Sequence, residues 1–445
     1  MHLVYENVLK NLVSLWTGNF KDMDTGQGDY EFEPGVWESI GAATAACGAH
    51  IPSTFASNPP NVADDKQATT ADSWSFWMLY IAPIVLENKF RRKVYYDHFI
   101  ELVKLVQICL KFSLSSDDIE RLRTGFKDWV VAYEKLYYQN NPSRARACPL
   151  TIHALLHIAD LIKVVGPVWT YWAFPTERYC GRLQPAIRSR RHPFVSIDNY
   201  VSQDAQLSHI KMVYNVHDRL TIPRRLRNPD VVRGIHDSHP DYPLYVLLGP
   251  KRTLVDPSVH AKVRVHLATR FGKPLSMILQ VYDPQDVVQW GCVRRLEGGD
   301  DMKAAELTNL NAEDRRDATF VRYELLVDIA PRSAASNFVA RQFYGQLKNI
   351  LVVKLPASTD LNLSKPTTYM LALIHQSDAK VASISGLDIP YYKKLTRKEV
   401  VDVATIQCLV GRVPPSALLP ASQSRGWGII DRSGTIARGY YIPDD

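Results

Sequence analysis

The chain has 445 residues, 46% of them hydrophobic and 22% charged, with a net charge of +7. That composition is ordinary for globular proteins and excludes a mainly disordered chain; the length suits roughly two to four domains. The longest apolar stretch, about Trp74 to Leu86, is interrupted by Ser75 and Pro83 and flanked by Asp72 and Glu87, so no transmembrane segment is expected.

In chain order, the opening residues lack a basic segment leading into an apolar one, and no secretory signal is expected. Gly, Pro, Asp and Asn crowd 20–36 and 56–72, which read as surface loops. Two amphipathic helices are predicted between 92 and 139. Tyr95, Phe99, Leu102, Val106 and Cys109 recur at three- and four-residue steps in the first. Ile119, Leu122, Phe126, Trp129, Tyr133 and Leu136 do so in the second. Ser115 with Asp118 three places on predicts a capping box for the second helix, and Asn140-Asn141-Pro142 its end, since proline cannot continue the hydrogen-bond ladder.

A helix is expected over 149–166, with Pro149 in its first turn and Gly166-Pro167 as its stop. Another is expected over about 176–189, and a third, with Pro257 near its start, over 257–271. The last third changes character. Segments 316–328, 343–355, 367–374, 400–413 and 427–431 are rich in β-branched and aromatic residues. Gly298-Gly299-Asp300, Ser385-Gly386, Pro414-Pro415 and Ser433-Gly434 separate them as turns, which predicts a small, largely antiparallel sheet or barrel of its own. Six cysteines (47, 109, 148, 180, 292 and 408) lie far apart with no C-x-x-C. That spacing fits free thiols in a reducing compartment rather than a disulfide scaffold or zinc ribbon.

The chemistry concentrates between Cys148 and Pro193. Residues 141–200 hold eight Lys or Arg against three acids, a net +5. Such a segment can neutralise phosphates, or it can be a solvated basic face. His153 and His157 are four apart and share a helix face, with Asp160 three further on. Two imidazoles at that spacing can hold one metal ion or serve structural roles, and the trio suggests a metallohydrolase reading; the pattern H-E-x-x-H is absent. Glu177 stands alone among arginines and apolar residues. It reads either as the buried partner of Arg178 or Arg182, or as a ligand for a hard divalent cation. Trp169 and Trp172 can fill a core or stack on bases.

The string HALLHIADLIKVVGPVWTYWAFPTERYCGRLQPAIRSRRHP resembles the C-terminal part of transposases of CACTA-type (En/Spm-like) DNA transposons. The likeness rests on His153 and His157, Gly166-Pro167-Val168, Phe174-Pro175-Thr176-Glu177-Arg178-Tyr179, Gly181-Arg182-Leu183 and Arg188 to Pro193. The opening MHLVYENVLKNLVSLWTG is similar to the family stretch M-H-L-x-x-E-N-V. RDATFVRYE (316–324), FYGQLKNI (343–350), QCLVGRV (407–413) and WGIIDRSG (427–434) look like the β-rich region that trails the catalytic domain in fungal members.

The resemblance implies an α+β chain: a helix-rich, partial RNase H-like (DDE) catalytic domain followed by a small β-rich, barrel-like C-terminal domain. The expected boundaries are 1–235 for the catalytic part with a helical insertion, 236–283 for a helical linker and 284–445 for the β-rich domain. It implies two aspartates and a glutamate holding two Mg²⁺ ions, which clamp the attacking and leaving oxygens of a phosphodiester. Glu177 would be the third acid, on a metal-binding surface near His153 and His157. Arg182, Arg188, Arg190, Arg191 and His192 would meet the DNA backbone, at transposon ends in an intact enzyme. Arg219, Arg224, Arg225 and Arg227 extend the basic character. The family's second aspartate stands two residues ahead of the Met-His pair, and Met1-His2 open this chain, so a catalytically incomplete, nuclear, transposase-derived protein is expected. A non-catalytic DNA- or chromatin-binding module is the alternative. Residues 1–200 are expected to be mostly helical, without a complete sheet.

Overall fold

The periodicity of the first half produces helices, and the β-branched runs of the second half produce sheet. The structure, a computed structural model, describes residues 2–21, 23, 28–64, 70–189, 191–220, 236–296, 300–308, 316–330, 337–415 and 425–432. Among them 2–220 contain helices and no strand, and all the regular strands follow from His236. The chain is thus α+β. Arg190, the turns at Gly298-Gly299 and Ser433-Gly434, and Arg224, Arg225 and Arg227 lie outside the described residues.

The two amphipathic helices form at Lys93–Cys109 and Ser116–Tyr133, the second running on through Glu134–Tyr138. Ser115 and Asp118 close the predicted capping box. Gln139 and Asn140 then take left-handed backbone angles ahead of Pro142, which ends the helix. Both helices bury their apolar faces in one core with the opening helix, where Leu9, Leu12, Leu15 and Trp16 are buried, and with Trp74 to Leu86. The stretch read as too short for a membrane is therefore a core helix. No single helix among the described residues is long and apolar enough to cross a bilayer. Leu150–Val165 and Val168–Ala186 reach that composition only together, bent by 75° at the break.

The helix expected over 149–166 is broken into Leu150–Ala154, a tight turn at Leu155–His157, and Ile158–Val165, and Gly166 ends it at φ +99°. The helix expected over 176–189 runs instead from Phe174 to Leu183, with a last 3₁₀ turn at Gln184–Ala186. A 21-residue helix, Pro193–Val213, was not predicted and buries no residue.

The sheet is larger than expected. Among the described residues nine antiparallel strands form one sheet curled into a half-barrel, and four more (Lys380–Ile384, Leu387–Tyr392, Gly411–Val413 and Trp427–Ile430) form a second. The large sheet is buried on both faces. Met370, Ala372 and Ile374 pack to one side with Val321, Tyr323 and Ile350. Tyr369, Leu371 and Leu373 pack to the other against the Pro257–Phe271 helix through Val259, Val263 and Leu267. A register shift between Leu347 and Asn349 moves the alternation by one residue, which puts Leu347 and Ile350 on the same face although they are three apart.

Two boundaries change as a result. The 236–283 segment, expected as a helical linker, supplies strands at His236–Ser238 and Tyr245–Arg252 that pair into the large sheet. Its helices cover that sheet, so it is part of the β-rich layer. That layer is also not a body of its own: Ile384, Ile389, Tyr391, Val413 and Ile430 belong to the helical core. The Ser385-Gly386 turn forms as read, with φ +49° and +80°, and seats on the Lys93–Cys109 helix where Lys104 Nζ donates to the Ser385 carbonyl at 3.0 Å.

Candidate functional site

Glu177 lies in the first turn of the Phe174–Leu183 helix, which Pro175 starts and whose amide end favours a carboxylate. No residue of that helix is buried, so the expectation of a buried Glu177 fails. Its partner is not Arg178 or Arg182 but His2, whose Nε2 lies 3.1 Å from Glu177 Oε1. His2 Nδ1 faces Glu6 one helical turn on. Each ring nitrogen thus faces one carboxylate oxygen, and the imidazole bridges Glu6 and Glu177. Tyr5 and Val8 anchor this stretch in the core, which holds His2 and Glu6 at its rim.

The metal expectation meets a plain difficulty. Paired hard cations need several carboxylate oxygens, and this rim offers Glu177 and, across an imidazole, Glu6. Among the described residues no group of three or more His, Cys, Asp or Glu is placed to hold an ion. The residues present do not by themselves fit two Mg²⁺ ions.

His153 and His157 share a face as predicted, their Nε2 atoms 3.1 Å apart. The third member of the metallohydrolase reading is diverted: Asp160 receives Arg123 NH2 at 2.6 Å, and Arg123 holds its carboxyl below the usual range. No hydrogen bond or ion pair joins Glu177 to either histidine among the described residues. The expected neighbourhood exists only indirectly, since the Leu150–Ala154 turn packs against the His2–Val8 helix that Glu177 touches.

The basic residues divide. Arg188, Arg191 and His192 are exposed and remain available to phosphates. Arg182 is a strut: it donates to Tyr200 Oη at 3.1 Å and to Asp204 at 2.9 Å, tying its helix to Pro193–Val213. Arg144, counted in the +5, is buried and donates twice to the Tyr137 carbonyl, so the free basic surface is smaller than the sequence count. Trp169 stacks on Phe112 with centroids 5.3 Å apart and donates to the Phe112 carbonyl, a packing role.

Leu150, Val164, Phe194 and Met212 are 79%, 83%, 82% and 78% exposed. Phe194 and Met212 stand near opposite ends of the Pro193–Val213 helix, so these side chains are scattered rather than one patch. Sequence reading missed His2 and Glu6 as partners of the site; their four-residue spacing on one helix face was the available signal. It also missed a recess of about 490 Å³ that shares no residue with 148–193, between the Lys93–Cys109 helix and both sheets. There Asp431 accepts from Tyr344 Oη at 2.9 Å beside Arg322.

No family model matches the chain, and neither a curated protein nor a solved structure matches it.

Proposed function

We propose that the chain derives from a CACTA-type DDE DNA transposase, with Glu177 standing where the RNase H-like site of an intact enzyme, acting on DNA in the nucleus, has its third acid. The observation that carries this reading is the contact between His2 and Glu177, 175 positions apart. One comes from the M-H-L-x-x-E-N-V stretch and the other from Phe-Pro-x-Glu-Arg-Tyr. In the family's pattern the second aspartate stands two residues ahead of the Met-His pair, so a chain carrying it would gather its second and third acids on one patch. A further feature supports the reading: residues 2–220 are helical where described, in line with the helix-rich catalytic part that the resemblance implies.

The second reading, a non-catalytic DNA-binding module, is favoured by the exposed Arg188, Arg191 and His192 and by the shortage of carboxylates around Glu177. A nicking assay on supercoiled DNA separates the two. The 445-residue chain should show no Mg²⁺-dependent cleavage. A version extended upstream with D-x-M-H and an earlier aspartate should cleave, and Glu177→Gln should abolish that activity, because the amide keeps the shape and loses the charge. Equal cleavage with Glu or Gln at 177 would overturn the assignment of Glu177.

A further inference from the structure

The histidine pair is left over from the function proposed above, and its geometry carries a separate conclusion. His153 lies in the last turn of Leu150–Ala154 and His157 closes the 3₁₀ turn that breaks the helix, both exposed. Their rings stand at 74° with Nε2 atoms 3.1 Å apart. A single imidazole–imidazole hydrogen bond at the surface stabilises little, because water replaces it at almost no cost. The same separation has a second chemical meaning. With metal–nitrogen bonds of about 2.0–2.1 Å, nitrogens this far apart subtend roughly 95–102° at a shared ion. That lies between the cis angle of an octahedral site, about 90°, and the tetrahedral angle, about 109°.

We propose that His153 and His157 form a two-nitrogen clamp for a borderline transition-metal ion such as Zn²⁺ or Ni²⁺, with water in the remaining positions. Neutral imidazole suits these ions, whereas Mg²⁺ prefers oxygen and keeps its own water. The clamp is therefore distinct from any carboxylate chemistry at Glu177 and stands whether or not the transposase reading does. The surrounding charges set its strength. Asp160 is close enough to His157 to feel its charge, which favours a cation, but the carboxylate is engaged by Arg123. Arg123 and Lys163 on the same side oppose a cation. With two protein ligands instead of three or four, binding is modest and reversible.

The test is calorimetric titration of the untagged 445-residue chain with Zn²⁺ and Ni²⁺ at pH 7.5, with Mg²⁺ as a control. The variants His153→Ala, His157→Ala and the double variant are titrated alongside, after circular dichroism shows that each is folded. Both positions are exposed, so the substitutions leave the core intact. The wild-type chain should bind one ion that each single variant binds at least ten-fold more weakly and that the double variant does not bind at that stoichiometry. Mg²⁺ should give no site. The chain has 13 histidines, so the variant comparison, not binding alone, decides. Equal affinity in the wild-type and double-variant chains, or no titratable site in the wild type, overturns the clamp and leaves the contact as a simple hydrogen bond.

Discussion

Arg412 is a buried cation at the seam between helices and sheets, 3.6 Å from the Phe320 ring centroid and 4.8 Å from that of Trp427. Its counter-ion is Asp317, which also accepts from the Thr319 amide and hydroxyl at 2.8 and 2.7 Å. His50 completes the cluster by accepting from Arg412 through Nδ1, and burial followed by the Arg412 charge holds its pKa down. Arg412→Ala removes one partner and strands a buried carboxylate, which costs about 3–5 kcal/mol. Arg412→Lys should fall between, since it keeps the charge and loses the planar face that lies on the rings. Urea unfolding at neutral pH checks both. His98 gives the pH dependence. Its Nε2–H donates to the Trp129 carbonyl at 3.1 Å, and burial pushes its pKa down to about 4. The unfolded chain takes up that proton near pH 6.5, the folded chain only near pH 4. Stability from this group is therefore complete above about pH 6.5 and is lost on acidification toward pH 4, by about 3 kcal/mol across the window. His98→Gln should flatten the measured stability–pH curve between those values; an unchanged slope would show that His98 does not carry it.

At the scale of elements, the capping box is the sharpest test, because its two hydrogen bonds start a helix that the core needs. Ser115→Ala should cost about 1 kcal/mol, read as a lower urea midpoint with an unchanged m-value. The box was legible because capping is local chemistry: a hydroxyl and a carboxylate three residues apart. The Lys93–Cys109 and Ser116–Tyr133 helices were legible for a related reason, each burying one face so that the 3.6-residue period is written in the sequence. Pro193–Val213 buries nothing, so no period marks it. Tyr245–Arg252 was missed because Gly249 and Pro250 interrupt it, and both residues normally argue against a strand. Lys380–Ile384 and Leu387–Tyr392 mix charge and proline into short runs, and only the turn between them was visible. In the site, Glu177 could be singled out from its neighbours in sequence. Its partner could not, because a contact across 175 positions exists only once the helices have packed.

For the whole molecule, charge must be counted after folding rather than before. The 141–200 segment carries a net +5 in sequence, but Arg144 is buried on Tyr137, Arg182 is spent on Asp204, and Asp160 is covered by Arg123. What remains outward is Lys163, Arg178, Arg188, Arg191 and His192, with Arg146 held on the Lys21 carbonyl. If this surface tracks a DNA backbone, each arginine that neutralises a phosphate releases condensed counter-ions, and the slope of log K against log salt grows by about 0.9 per contact. Replacing Arg188, Arg190 and Arg191 together by alanine should flatten that slope by up to roughly 3 while leaving the unfolding midpoint in place. Arg182→Ala should leave the slope nearly unchanged and lower stability instead, because its guanidinium is already occupied by Tyr200 and Asp204. Fluorescence anisotropy with a labelled random-sequence duplex, from low to physiological salt, measures all three proteins. The opposite pattern, with Arg182→Ala flattening the slope and the triple variant leaving it alone, would mean that Arg182 leaves Asp204 to meet the phosphate and that the 188–191 arginines are only a solvated face.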